Sequence, residues 1–211
     1  MNVNIAQPNY RKAATGRTES LAVMLSRALH DEPDLVYMVP DSTTRSLLLP
    51  SFFGAALRAG QLHGEIHTTE NGDGAAIWIR PDEGSVFRHT IRAAKMGLPF
   101  GETWEFNKRF LKLDAAVEDI RRRLAPAPHW YLMILGAEPC LKGEDIAESL
   151  IKPIVVQADS TQTPCYLETF NEKWLTVFEH LGFAITGAGR IPDGGPNFWA
   201  MMRVHAVRAV A

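Results

Sequence analysis

Two side chains in this sequence stand where acid–base chemistry is plausible on residue type alone. Glu168 closes the short apolar run Cys165–Glu168. A carboxylate at the end of a buried strand loses hydration, which raises its pKa and makes it a base near neutral pH. His129 opens the apolar run Trp130–Leu135, and imidazole titrates in the physiological range. Each has a structural alternative: Glu168 hydrogen-bonded to neighbouring backbone, and His129 as a satisfied core or rim residue. Glu65 and His67 alternate on one face of a strand, and His180 sits near a helix end where the dipole favours a cation without any function. No His, Cys, Asp and Glu cluster has metal-ligand spacing. The two cysteines, Cys140 and Cys165, form no ligand pattern, and no G-x-S-x-G nucleophile elbow occurs.

The composition narrows the field. The chain has 211 residues, 46% of them apolar and 22% charged, with a net charge of -2. That suits a single folded domain with a sizeable core and argues against disorder. It offers no electrostatic case for nucleic acid or an anionic membrane. The longest apolar runs are too short to span a bilayer. The N-terminus lacks the charged and apolar regions of a signal peptide, so a cytoplasmic location and free thiols are expected.

The elements that must position these residues can be read from spacing. Residues 1–9 form a flexible arm and Tyr10–Ala14 a short strand. Glu19–His30 is a helix ended by Pro33. Ser42–Ala59 is a second helix, capped by Asp41 or Ser42 and stopped at Gly60. Glu65–Thr69 and Ala75–Arg80 flank the Asn71-Gly72 turn of a β-hairpin. A helical insertion at 82–127 contains helices over 82–97 and 102–124. Its Arg121–Arg123 run is expected to be a solvated face. Trp130–Leu135 reads as a strand buried on both faces. Helix Asp145–Ser160, strand Cys165–Glu168 and helix Glu172–Leu181, stopped at Gly182, follow. Strands Phe183–Thr186 and Phe198–Val204 close the chain, joined by the loop Gly187–Asn197. This order describes a mixed α/β sheet.

The stretches HWYLMILGAEP, IKPIVVQAD, PCYLET, FEHLGF and IPDGGPNFWAMMR resemble the GNAT acyltransferase family, and most of all its puromycin N-acetyltransferase-like branch. YRKAATGRTESLAVMLSRALHDEP matches that branch's first strand and helix. The resemblance implies an α/β (α+β) fold: a central mixed, mostly antiparallel twisted sheet with a splayed parallel strand pair, flanked by helices. In that family coenzyme A lays its pyrophosphate on a helix N-terminus and its pantetheine arm between the splayed strands. If the cofactor is used, the resemblance assigns it to Ile134, Leu135, Gly136, Lys142, Gly143, Asp145, Ala147 and Asn171. It places the acyl site beside Glu168 and lets Glu65 and His67 face the acceptor pocket. It makes Tyr37, Phe53, His67, Trp78, Trp104, Trp174, Phe178 and Trp199 candidates for an apolar substrate wall.

The sequence departs from the family at the cofactor positions. Asp145 stands where the family has a glycine under the pyrophosphate, beside Glu144. Trp174 replaces the cofactor-binding Asn, Phe178 the Tyr, and Phe170 a Ser, while Asn171 is displaced. Capping of the helix by Asp145 is the simpler role for that residue. The changes imply an enzyme of specialised metabolism that works without a cofactor on a small apolar metabolite, by isomerisation, cyclisation or elimination. Glu168 and His129 would then be its acid–base groups. An acetyl-CoA-dependent N-acetyltransferase of a small amine is the alternative, and a non-catalytic ligand-binding relative the second. The expected partner is a small molecule, with no metal, nucleic acid or membrane, in a monomer or homodimer.

Overall fold

The apolar runs become the centre of a sheet covered on both faces. The computed structural model describes residues 10–12, 15–83, 104–141 and 143–204. The arm at 1–9, nearly all of the helix expected over 82–97, Lys142 and the Trp104 side chain lie outside the described residues. Seven strands are described: β1 (Tyr10–Lys12), β2 (Gly64–Thr69), β3 (Gly74–Ile79), β4 (Trp130–Ala137), β5 (Cys165–Thr169), β6 (Ala184–Arg190) and β7 (Asn197–Arg203). They lie in the order β1-β2-β3-β4-β5-β7-β6. Every neighbouring pair is antiparallel except β4 and β5, which run parallel.

Alternation along the strands assigns the faces. Ala75, Ile77 and Ile79 of β3 pack with helices α1 (Thr18–Ala28) and α3 (Ser42–His63). Ala76 and Trp78 pack on the opposite side with α5 (Gly143–Ser160) and α6 (Leu175–His180). Helix α4 (Trp104–Leu124) divides its contacts. Phe106 and Phe110 join the α1 and α3 cluster, while Ile120 meets Tyr166, Ala200 and Met202 of β5 and β7. The short α2 (Pro33–Met38) lies between α3 and α4 in contact with both.

Several boundaries differ from the sequence reading, each for a physical reason. Pro33 begins a helix instead of only ending one: it occupies the first turn of α2, where a missing N–H costs nothing. Helix α3 is capped by Asp41, which accepts from the Thr44 N–H at 2.8 Å, but it runs through Gly60 to His63. Gly60 is there for packing, since a Cβ would come within 2.5 Å of Ile77 Cγ2. The expected helix 172–181 is a 3-10 turn, Glu172–Trp174, followed by α6, and Gly182 with φ +84° ends it. Strand β6 extends to Arg190 by pairing with β7, shortening the expected loop.

The parallel pair is short. Strands β4 and β5 share register only at Trp130↔Cys165, Tyr131↔Tyr166 and Leu132↔Leu167. Beyond Leu132, β4 stays with β3 as far as Ala137, while β5 stays with β7 as far as Thr169. The strands therefore part, and the sheet opens beside Met133–Leu135 and Glu168–Phe170.

Close approach of α3 to the sheet depends on one glycine at the helix–strand junction. A Cβ on Gly64 would sit 1.9 Å from the Trp78 carbonyl oxygen. Gly64→Ala is expected to lower stability by about 1–3 kcal/mol or more, because backbone rather than a flexible side chain must move. A denaturation midpoint unchanged from wild type would show that the junction relaxes freely.

Candidate functional site

The opening in the sheet is a cavity of about 230 Å³. Its walls come from α2, α3 and α4 on one face and from the β5 loop and α6 on the other. Phe53, Phe110, Leu132, Leu135, Trp174 and Phe178 give it an apolar body. Glu32, Asp34, Asp114, Arg121, Tyr131 and Glu168 are its polar groups.

Glu168 projects from β5 on the face that meets α4, the same face as Tyr166 two residues earlier. Its Oε1 is sealed from solvent and accepts no hydrogen bond. Burial pushes its pKa up to about 7, although Arg121 and the phenols of Tyr131 and Tyr166 favour the charged form. Tyr166 is fully buried, and its hydroxyl lies beside the Glu168 carboxylate without a hydrogen bond of ordinary geometry. Burial holds the Tyr131 and Tyr166 phenols protonated, and the nearby Glu168 charge adds to this.

Arg121 is the surprise of the basic run. Arg122 and Arg123 are exposed and pair with Asp119, as a solvated face requires. Arg121 is only 7% exposed, pairs with Glu118 one turn back, and lies 4.9 Å above the centre of the Tyr131 ring. Its position four residues after Val117, also a cavity residue, was the available signal, since that spacing keeps one helix face.

On the other side of the opening, Trp174 dominates. Its ring is centred 6.2 Å from Phe178. Its Cη2 lies 3.4 Å from where a Cβ on Gly143 would stand, so the indole rests on the first turn of α5. Glu32 accepts from Asn171 Nδ2 at 3.0 Å and from Trp174. Burial raises the Glu32 pKa, and these bonds oppose the rise. Asn171 also caps the short 3-10 turn through Lys173 N–H at 3.2 Å.

Of the expected site residues, Phe53, Ile134, Leu135, Glu168, Trp174 and Phe178 meet at this cavity. Among the described residues, the others do not line it. His129 is occupied elsewhere: its Nδ1 lies 2.8 Å from the Pro126 carbonyl, and its ring stands edge-on to Tyr166. His67 pairs with Glu65 at 3.3 Å on β2, and burial lowers its pKa. Trp78 is fully buried against the α5 side of the core. Tyr37 donates to the Pro192 carbonyl at 3.4 Å with Arg109 over its ring. Trp199 is half-buried in β7, opposite Thr169. Gly136 leaves room for Leu25 of α1, whose Cδ2 would be 2.8 Å from a Cβ. Tyr131, Asp114 and Glu32 were not singled out from sequence, and Arg121 was expected only as part of a solvated run, whereas it is buried.

The helix end at which the family resemblance would place a pyrophosphate is acidic. Gly143, Glu144 and Asp145 form the first turn of α5, with Ala147 buried behind them. Glu144, Asp145 and Glu148 together line a groove between α5 and α6. The first turn thus carries two carboxylates, Glu144 and Asp145, which face the groove shared with Val177, His180 and Leu181.

No family model matches the chain. Solved structures do. A histone acetyltransferase HPA2-related acetyltransferase from Corynebacterium glutamicum is 20% identical, with a TM-score of 0.70 over 97% of this chain and 99% of that one. The polyamine N-acetyltransferase of Drosophila melanogaster is 16% identical, with a TM-score of 0.59 over 93% and 99%. Arylalkylamine N-acetyltransferase 2 of Aedes aegypti is 11% identical, with a TM-score of 0.59 over 94% and 99%. The chain has the GNAT fold.

The raised Glu168 pKa has a stability consequence. The folded state holds this proton more tightly than the unfolded chain, whose carboxylate titrates near the ordinary value. The stabilisation is therefore present at low pH and lost as pH rises through about 7. Raising pH from 5 to 8 should cost on the order of 2–3 kcal/mol from this group. Glu168→Gln should flatten that decline in unfolding experiments; an unchanged pH slope would show that Glu168 is ionised throughout.

Proposed function

We propose that this protein is an enzyme that moves protons within a small, largely apolar metabolite, using Glu168 and no coenzyme A. The observation that carries this reading is the Trp174 indole lying on Gly143 at the head of α5. That contact fills the place a pyrophosphate would need, and the acidic groove beside it repels what remains. Two like charges about 4 Å apart interact by roughly 4 kcal/mol at an intermediate dielectric, less where solvent screens them. The cavity itself stays open. It offers apolar walls and one carboxylate whose pKa sits near neutrality, which is where a general base works best. Isomerisation, cyclisation and elimination all need proton movement in a single substrate and no second one.

A second reading keeps one observation in its favour. Four carboxylates, Glu32, Asp34, Asp114 and Glu168, line the cavity against one arginine. That balance suits a protonated amine, and the solved structures of similar fold are acetyltransferases. A ligand-binding relative without catalysis is the third reading, set apart by Glu168. The partner in every case is a small molecule. Among the described residues no helix is long and apolar enough to cross a membrane.

Acetyl-CoA titration by calorimetry separates the readings. No binding up to about 1 mM is expected for the wild-type protein, the weak end of specific affinity. A dissociation constant in the micromolar range would establish the acetyltransferase reading instead. Once a substrate is in hand, kcat/KM should rise with pH and level off above about 7, as the base ionises. Glu168→Gln should abolish turnover while the fold survives; turnover that persists in this variant would remove Glu168 from the chemistry.

A further inference from the structure

Two polar groups of the cavity wall have no part in a proton transfer made by Glu168 alone. Arg121 is buried, and its guanidinium carbon lies over the Tyr131 ring, 4.9 Å from the centroid. Tyr131 is paired with Tyr166 in the short parallel register, and its hydroxyl reaches Glu168, two residues further along β5 on the same face. All three residues line the same cavity. Burying a guanidinium is costly, and pairing it with Glu118 on its own helix gains little over an apolar side chain in that place. Folding alone therefore does not account for it. Glu168 Oε1 points the same way, because a buried lone pair with no hydrogen bond is satisfied only when something enters.

The three groups have complementary chemistry. Glu168 accepts a proton. Arg121 donates and carries a permanent positive charge. Tyr131 donates, because burial keeps its phenol protonated. Fixed donors beside a base stabilise negative charge that develops on an oxygen next to the carbon losing its proton. A free anion suits this cavity poorly, since Glu32, Asp34 and Asp114 also face it, and Arg121 disfavours a cation close to Glu168. A neutral carbonyl meets both conditions.

We propose that Tyr131 and Arg121 hold the carbonyl oxygen of a small neutral β,γ-unsaturated ketone or aldehyde while Glu168 shifts a proton along its carbon skeleton. The Glu168 carboxylate takes a proton from the carbon next to the carbonyl. The C–H electron pair becomes a carbon–carbon double bond, and the carbonyl π pair moves to oxygen. The resulting enolate oxygen accepts hydrogen bonds from Tyr131 and Arg121. Glu168, now protonated, returns the proton to the far carbon of the conjugated system and the carbonyl re-forms. Atoms and charge balance without an oxidant, reductant or second substrate. This rests on the reading of Glu168 as a base and adds the substrate class and two further catalytic residues.

The test uses a planar mimic of the enolate. Binding of 2-naphthol to the full chain is compared with binding of naphthalene, which has the same apolar body and no oxygen. The expected result is naphthol binding at least about tenfold more tightly, the worth of one good buried hydrogen bond. Tyr131→Phe removes only a hydroxyl, so it should erase most of that preference and leave naphthalene binding unchanged. Arg121→Lys keeps the charge but loses the planar fork, and should reduce the preference by a smaller factor. Deuterium exchange into the α-carbons of cyclohexanone gives a second readout, expected in the wild type and lost in Tyr131→Phe. Equal affinity for the two probes, no naphthol binding at millimolar concentration, or a preference that survives Tyr131→Phe overturns the proposal. None of these outcomes touches the acetyl-CoA titration or the Glu168→Gln result, so failure here leaves the broader reading standing on its own evidence.

Discussion

Strands β4 and β5 stay together for three residue pairs and then separate, and the rest of the molecule is arranged around that separation. Each strand has a stronger commitment on its other side. Gly74↔Ala137 still joins β4 to β3 at the far end, and Thr169↔Trp199 still joins β5 to β7. The backbone groups freed along the split face each other across a gap instead of a ladder. Unpaired backbone inside a protein is expensive, so the gap is a costly feature, set by where the pairing of β4 with β3 and of β5 with β7 leads each strand. The cavity is a product of hydrogen-bond bookkeeping in the sheet, and its lining follows from which side chains alternate into it.

The two sides of the opening have diverged in character. On the α4 side, charge and hydroxyls gather: Arg121, Tyr131, Tyr166 and Glu168 share one packed layer. On the α5 and α6 side, aromatic rings have taken over, from Trp174 through Phe178 to Phe183. Glu32 fastens the aromatic side from across the cavity through Asn171 and Trp174. Large buried rings give that second side an apolar surface. The same burial favours folding, since each aromatic removes a large apolar area from water. These ring contacts hold that side of the fold together whatever occupies the cavity.

Much of this was legible in the sequence because it rests on local pattern. The buried strands, the Asn71-Gly72 hairpin, the Asp41 cap and the Gly182 stop each follow from residues a few positions apart. Glu168 and Trp174 stood out because their neighbours fixed their place on an element. What escaped notice depends on partners distant in the chain. The run Trp130–Leu135 is apolar throughout, so nothing local says that Tyr131 turns towards a charged residue while Trp130 turns into the core. Arg121 looks like Arg122 and Arg123 until β5 supplies its environment. His129 looked useful as a residue type, yet the Pro126 carbonyl three residues away already holds its ring. Residue type proposes chemistry, and tertiary contact decides which proposals share a space.

The contact between Glu32 and Asn171 joins residues 139 positions apart. Closing so long a loop costs chain entropy that the β2–β3 and β6–β7 hairpins never face, and topologies rich in such contacts form slowly. The cavity walls are drawn from the first helices, the middle of the chain and the segment after β5, so no local unit contains them. The pocket is therefore the part of this molecule that can exist only after the rest is in place. Any slackening of the assembled chain, by heat or by mutation far away, reaches the chemistry before it reaches the hairpins.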